Sequence, residues 1–375
     1  MKIAVVILNW NTKDYLRRFL PPLLDSLALF NGGTNSGTDI AGNVLPPTGT
    51  PRDLAEVVVA DSASTDGSME MMSEEFPSVR RIPLEKNFGF TGGYNRALKE
   101  LSDKPSEEEV CITTACGAPY DLFILLNSDI EVTRDWLRPL VRWMETHPEC
   151  GACGPKLHSW FERDKFEYAG AAGGYIDRFG YPFCRGRVLG KVETDMGQYD
   201  TPADVLWVTG ACLAVRASAW NSLGGLDDRF FAHMEEIDLC WRMQLEGWKV
   251  TVVPESVVYH LGGGTLPKNS PQKLYLNYRN NILLLDNNLS STIGRRRAAL
   301  RIFFRKILDG CSAAVYLLEL KPAWFKAVWR AHRDAGKLIA EKAGKKKSGG
   351  NGRHSVAGIY DGCMIPKALL GIKIL

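Results

Sequence analysis

Across its 375 residues the chain has no apolar run approaching the roughly 18 residues that span a bilayer, which argues against an integral membrane protein built on hydrophobic helices. It has no internal repeat, so solenoids and propellers are not expected. No G-x-G-x-x-G occurs, so nothing supports a dinucleotide fold. The close cysteine pairs, Cys111 with Cys116 and Cys150 with Cys153, have no second pair at zinc-finger spacing, and a structural zinc is not expected. An export signal is not expected either. The apolar start Ile3–Leu8 is short and runs into Asn9, Asn11, Lys13 and Asp14. With nine cysteines, an odd number, the expectation is reduced thiols in the cytoplasm.

What is present suffices for a large core. The chain is 45% hydrophobic and 24% charged, and its length suits two domains or one large domain with appendages. The net charge of +3 conceals an asymmetry: Arg295 to Arg353 carry 16 Lys and Arg against 4 Asp and Glu, so the remainder is acidic. A basic C-terminal segment on an acidic body suggests an anionic partner surface, membrane or nucleic acid.

The run IAVVIL at 3–8 predicts a buried parallel strand, with a helix after it from about Thr12 to Phe30. Asn31 to Pro51, with five glycines and three prolines, reads as a surface insertion. Glu56–Ala60 and LFILL before Asn127 predict further buried strands, with helices over Met69–Phe76, after NFGFTGGYN, and over Asp135–Glu145. Alternation of this kind implies a doubly wound α/β sheet, in which ligands sit at the carboxyl ends of the strands. Asn9, Asn11, Asp61, Asn127 and Asp129 fall at those ends. Later, VLWVTGACLAV predicts a strand, GGLDDRFFAHMEEIDLCWRMQLEGWKV a loop and helix, and VVYH a last strand.

Three clusters carry chemistry. Asn127 and Asp129, two apart after a strand, place oxygen ligands on one side of the chain for a hard cation bound to a diphosphate; a turn-initiating Asp is the plainer alternative. Glu235, Glu236 and Asp238 open a helix and could supply a general base whose pKa crowding raises; a solvated acidic helix N-terminus is the alternative. His260 ends a strand before three glycines, either as a core histidine or, with Asp129, as part of a Mg²⁺ or Mn²⁺ site. Gly92 and Gly93 could bring backbone amides to a phosphate.

Taken in order, VVILNWN, DSASTDGS, NFGFTGGYNRAL, LLNSDIEV, VTGACLAVRASAW, GGLDDRFFAHMEEIDLCWR, VVYHLGGGT and YLNYRNNILLL resemble the family 2 inverting glycosyltransferases of the GT-A fold, in particular their rhamnosyltransferase-like branch. The resemblance covers about residues 1–290 and implies a Rossmann-like mixed sheet flanked by helices. It implies that Asn9 and Asn11 line a nucleotide pocket, that Asp61 accepts from the nucleobase with Asp66 beside it, and that Gly92, Gly93 and Asn95 stand near the sugar-nucleotide. Asp129 and His260 match metal ligands, with Asn127 in the place of a first aspartate. Glu235, Glu236 and Asp238 match the base motif, with Glu236 one methylene longer than the usual Asp. The implied reaction is a one-step, metal-dependent displacement with inversion. Rhamnose from dTDP-rhamnose is the first expected donor and a UDP-sugar the second, with a lipid-linked or oligosaccharide acceptor in bacterial surface polysaccharide synthesis. An inactive membrane-associated scaffold and a nucleotidyltransferase are the rivals. The absence of QxxRW argues against a processive synthase.

Residues 291–343 are expected to form basic amphipathic helices. Leu300, Phe303, Phe304, Ile307 and Leu308 fall on one stripe, and Arg297, Arg301 and Arg305 on another. Such helices fit an anionic membrane on its cytoplasmic side, or else pack on the catalytic domain; nucleic acid is not expected. Residues 344–375 read as a flexible linker and an apolar tail that docks back or meets lipid.

Overall fold

A computed structural model describes residues 1–32, 53–103, 119–262, 270–343 and 354–369. The insertion beyond Gly32, Cys111, Cys116 and the Lys-rich linker lie outside the described residues.

Strand β1 (Lys2–Asn9) is buried on both faces, with Ile3, Val5 and Ile7 toward one core layer and Ala4 and Val6 toward the other. Helix α1 (Lys13–Gly32) leads to β2 (Leu54–Asp61), α2 (Ser68–Glu75) to β3 (Arg80–Pro83), and α3 (Gly89–Asp103) to β4 (Leu122–Leu126). These four strands are parallel, in the order β3-β2-β1-β4. Nothing in the half-polar sequence RRIP announces β3, which is a short edge strand and needs only one buried face. Strand order reverses between β1 and β4, and the crevice there opens at the carboxyl ends.

The sheet continues through β5 (Ile130–Val132), helix α4 (Leu137–Thr146) and β6 (Cys150–Ser159). A second, five-stranded sheet contains β7 (Gly174–Asp177), β8 (Pro182–Cys184), β9 (Arg187–Val188) and β10 (Lys191–Val192). The chain then re-enters the main sheet with β11 (Ala203–Asp204) and β12 (Cys212–Arg216), followed by α5 (Ala217–Leu223), α6 (Glu235–Leu245) and β13 (Lys249–His260). Strand β12 is antiparallel to β4 and β6, while β6 and β13 are parallel, so the sheet is mixed. Of the run VLWVTGACLAV only its end is β12. The Thr209 hydroxyl accepts from the Ala211 amide at 3.1 Å and its carbonyl from the Cys212 amide at 3.3 Å, which turns the chain just before the strand.

Helices α7 (Pro271–Ile293), α8 (Arg295–Leu318) and α9 (Pro322–Ala343) pack together after β13. Ser270 caps α7 by accepting from the Lys273 amide, and Pro271 fills the first turn. Among the described residues no helix is long and apolar enough to cross a membrane. The Arg stripe expected on α8 divides, with Arg297 exposed and Arg305 inside. Arg305 is buried, paired with Asp309 at 2.8 Å, donating to the Phe179 carbonyl and stacked over Tyr181; Arg301 binds Asp361. Beyond the linker, β14 (Ile359–Tyr360) pairs with β7 and α10 (Met364–Leu369) follows, its first amide held by Asp177 at 3.0 Å. Residues 356–364 of the tail thus dock back on the protein.

Candidate functional site

At the carboxyl ends of β1 and β2, side chains bind two loops to each other. Asn9 donates to Asp61 Oδ1 at 2.7 Å and accepts from the Thr12 hydroxyl at 2.5 Å. The other Asp61 oxygen accepts from the Ser64 amide at 2.9 Å. Asn11, at φ 53°, accepts from the Thr65 amide at 2.7 Å, and its own amide donates to the Ser64 hydroxyl. Asp66 accepts from the Lys13 and Ser68 amides at 2.9 and 3.0 Å. Burial alone would raise the Asp66 carboxyl, but the Ser68 hydroxyl and these amides outweigh it and hold it below its ordinary range. Asn9, Asn11, Asp61 and Asp66 therefore form one preorganised rim.

After β4, the Asn127 amide donates to the Ala211 carbonyl at 2.9 Å, which fixes the turn that presents Asp129. Asp129 Oδ1 lies 3.2 Å from His260 Nε2, and both side chains are buried. The other ring nitrogen, Nδ1, lies 3.4 Å from Glu167, a residue that no sequence motif singles out. Burial by itself would lower the imidazole's pKa; Asp129 and Glu167 outweigh it and carry His260 up to about 10. Burial also works against the Asp129 carboxylate, which the His260 hydrogen bond holds below its usual range. With the Nε2 proton given up to make room for a cation, one oxygen and one nitrogen donor converge here, and among the described residues no group of three or more His, Cys, Asp or Glu could cage an ion alone. That donor set fits Mg²⁺ or Mn²⁺, which takes few protein ligands and completes its shell with phosphate oxygens and water. Glu167, on the far nitrogen, is placed to orient the ring.

The acidic cluster divides. Residues Phe231, His233 and Met234 all have φ between 65° and 71°, and α6 starts directly after them. Asn280, fully buried on α7, holds this strained loop by donating to the carbonyls of Phe230, Ala232 and His233 at 3.0, 2.7 and 2.7 Å. Glu235 and Glu236 follow, each with one carboxylate oxygen that has no hydrogen-bond partner. Burial, with the Glu236 charge adding to it, drives Glu235 well above the carboxylate range, while burial pushes Glu236 up to about 7. His233 is pushed down to about 4 by burial and Lys273, so it is neutral near pH 7. Gly210 lies against Glu236, and its neighbour Ala211 holds Asn127, so one short segment joins the acidic pair to the Asp129 turn.

Asp238 does not join that pair. It is fully buried and accepts from Arg242 at 2.7 Å and from Asn287 and Asn288 at 2.8 Å each. Its charge anchors α6 to α7. Asn95 is likewise committed: it clamps the 226–228 loop by donating to Leu226 O and Asp228 and accepting from the Leu226 amide. Gly92 and Gly93 lie inside α3, not at its start. A Cβ on Gly93 would meet Leu8 at 2.7 Å, so that glycine serves close packing on β1. Gly89 is the one that borders the acidic loop: at φ +73° it leaves room for the Phe231 ring and carbonyl, which a Cβ would meet at 2.5 and 2.7 Å. Cys150 and Cys153 are free, buried thiols at the opposite end of β6 from His260.

The family model described as Glycosyl transferase family 2 matches residues 4–181, and that of Glycosyl transferase family group 2 matches residues 122–318. The chain is 27% identical over 254 residues to the N-acetylglucosaminyl-diphospho-decaprenol L-rhamnosyltransferase of Mycobacterium tuberculosis, covering 65% of this chain and 78% of that protein. It is 27% identical over 150 residues to the rhamnosyltransferase WbbL of Escherichia coli, covering 38% and 53%. In fold it is similar to S. aureus TarS 1-349 in complex with UDP-GlcNAc, with a TM-score of 0.52 at 14% identity over 91% of this chain and 83% of that one. The GT-A arrangement expected from the motifs is thus the one observed. Since the second family model alone spans just over half of the sequence, the chain belongs to glycosyltransferase family 2.

Proposed function

We propose that the protein transfers a sugar, rhamnose from dTDP-rhamnose as the leading donor, to a hydroxyl of a lipid-linked or oligosaccharide acceptor, with inversion at the anomeric carbon. The observation that carries this reading is the joined pair of sites. Two carboxylates with unpartnered oxygens stand at the start of α6, and the Gly210–Ala211 segment connects them to the turn bearing Asp129, which faces His260. The mycobacterial and E. coli relatives, both named rhamnosyltransferases, favour the donor; the former's name carries a diphospho-decaprenol, which favours a lipid-linked acceptor.

In this mechanism Glu236 is the base. Near neutral pH it is ionised in part and half-buried, whereas the more buried Glu235 keeps its proton. Glu236 takes the proton of the acceptor hydroxyl as that oxygen bonds to the anomeric carbon. The bond from that carbon to the diphosphate breaks, and its electron pair leaves with the diphosphate. A divalent cation held by Asp129 and His260 would neutralise the charge that develops there. Asn9, Asn11 and Asp61 fix the rim against which the nucleotide is read. Asp238 and Asn280 act through the loop and helix they hold, as positioning residues.

The test is a donor panel of dTDP-rhamnose, UDP-sugars and GDP-sugars, with Mg²⁺ or Mn²⁺, read as binding and slow donor hydrolysis. EDTA and Asp129→Ala serve as controls. Metal-dependent preference for dTDP-rhamnose is expected. Preference for a UDP-sugar changes the donor alone. Activity unchanged by Asp129→Ala removes the metal assignment, and folded protein that binds no donor leaves the scaffold reading.

A further inference from the structure

Helix α8 has two unlike faces. Its inner face carries Ala298, Arg305, Asp309 and Ala313 against the body, and the docked tail lies on that side through Arg301 and Asp361. Its outer face carries Leu300, Phe303, Phe304, Ile307, Val315 and Leu318, all exposed, at successive intervals that keep one stripe of the helix. Phe303 is 57% exposed, and at the turn into α9 Leu318 and Leu320 reach 84% and 88%. None of the described residues covers this stripe. A contiguous apolar surface of this length on a folded protein marks an interaction site.

Charge identifies the occupant. Arg295, Arg296 and Arg297 are exposed at the start of the stripe, Lys306 lies along it, and Lys321 stands at its end. The acids nearby are already neutralised: Asp309 is buried between Arg305 and His332, and Glu319 pairs with Lys321 at 2.8 Å. Helix α9 adds exposed Lys326 and Arg330 around Trp329, which is 68% exposed, while Arg333 pairs with Asp334 at 2.9 Å. Apolar side chains flanked by an excess of exposed cations suit an anionic bilayer, whose headgroups meet the arginines while the phenylalanines enter the acyl boundary. A second protein copy would bring its own arginines against these.

We infer that the outer face of α8, with the α8–α9 turn, is the surface by which the protein docks on an anionic membrane. Leu300, Phe303, Phe304 and Ile307 are the apolar stripe expected from the sequence; the Arg stripe departs from it, since Arg305 is buried and Arg301 pairs with Asp361. The inference complements the lipid-linked acceptor of the proposed function but is measured without donor or metal, so either can fail alone.

The test is vesicle flotation of the full chain with phosphatidylcholine alone and with about one-third phosphatidylglycerol. Binding to the anionic vesicles only is expected, weakened on the order of tenfold or more by Phe303→Glu with Phe304→Glu. Changing Arg295, Arg296 and Arg297 to Ala should weaken it by a similar factor, as should high salt. Leu318→Glu, at the exposed turn, gives an independent variant, and circular dichroism verifies that each is folded. A folded wild type that ignores both vesicles overturns the inference, as does equal binding to both. A dimer in size-exclusion chromatography that Phe303→Glu with Phe304→Glu dissolves would give the face to a second copy instead.

Discussion

Glu236→Gln removes one carboxylate and keeps its shape. A positioned general base contributes about 10²–10⁴-fold, so turnover should fall by that order while donor binding, which does not use the group, stays near wild type. The pH profile adds a sharper requirement. With Glu236 at about 7, its ionised fraction is about one-half at pH 7 and about one-tenth at pH 6, and wild-type activity should fall close to tenfold per unit below that. The sign follows from burial, which disfavours the charged form and moves the acid limb upward from the usual carboxylate range. Glu235 is raised by burial and, in addition, by the Glu236 charge, so ionisation of Glu236 favours the protonated form of Glu235. Gln copies a protonated Glu. Glu235→Gln should therefore leave the limb in place and cost less than about tenfold. The assay is nucleoside diphosphate release at saturating donor and acceptor across about pH 5.5 to 8.5. If Glu235→Gln abolishes turnover while Glu236→Gln keeps the limb, the roles are reversed. A wild-type limb near 4 would refute the burial argument itself.

Asp238→Ala leaves Arg242 without its carboxylate and takes one acceptor from each of Asn287 and Asn288, and should cost about 3–5 kcal/mol of stability, read by urea denaturation; a loss under about 1 kcal/mol would contradict the anchor. Glu167→Gln should weaken Mn²⁺ affinity in the presence of nucleoside diphosphate about 10- to 100-fold by calorimetry, with the fold intact by circular dichroism. Gly89→Ala should displace the acidic loop, since the Cβ meets a backbone carbonyl, and lower kcat more than it raises donor KM; wild-type kinetics would show that the loop yields without cost.

The strand ends that hold Asn9, Asp61 and Asp129 are legible in the sequence because each closes an apolar run, and a buried parallel strand must end where its polar residues begin. The sorting of the acids is not legible. Asp238 shares a helix turn with Glu235, and only the return of Asn287 and Asn288 on α7 decides that one is anchored and the other open. Asn95 and Gly93 follow the same logic, since their partners Asp228 and Leu8 lie far along the chain. Glu167 could not be found from spacing, because the ring it faces arrives with β13. Arg305 reads as an outward cation until Asp309, one turn on, draws it inward.

The docked tail bears on the order in which the molecule assembles. Strand β14 completes the small sheet beside β7, the Ala357 amide donates to Gln244 on α6 at 2.7 Å, and Gly358 sits where a Cβ would meet the Leu206 amide at 2.3 Å. During synthesis the half that ends at β4 has all its strand partners but β12 early. The helix that carries the acidic pair must wait for residues 356–364 before its last contacts close. Such distant closure is slow, and until it happens the β7 edge is open to pairing with another chain. A ribosome stalled before Val356 would therefore hold a formed rim at Asn9, Asn11 and Asp61 beside an unfinished α6.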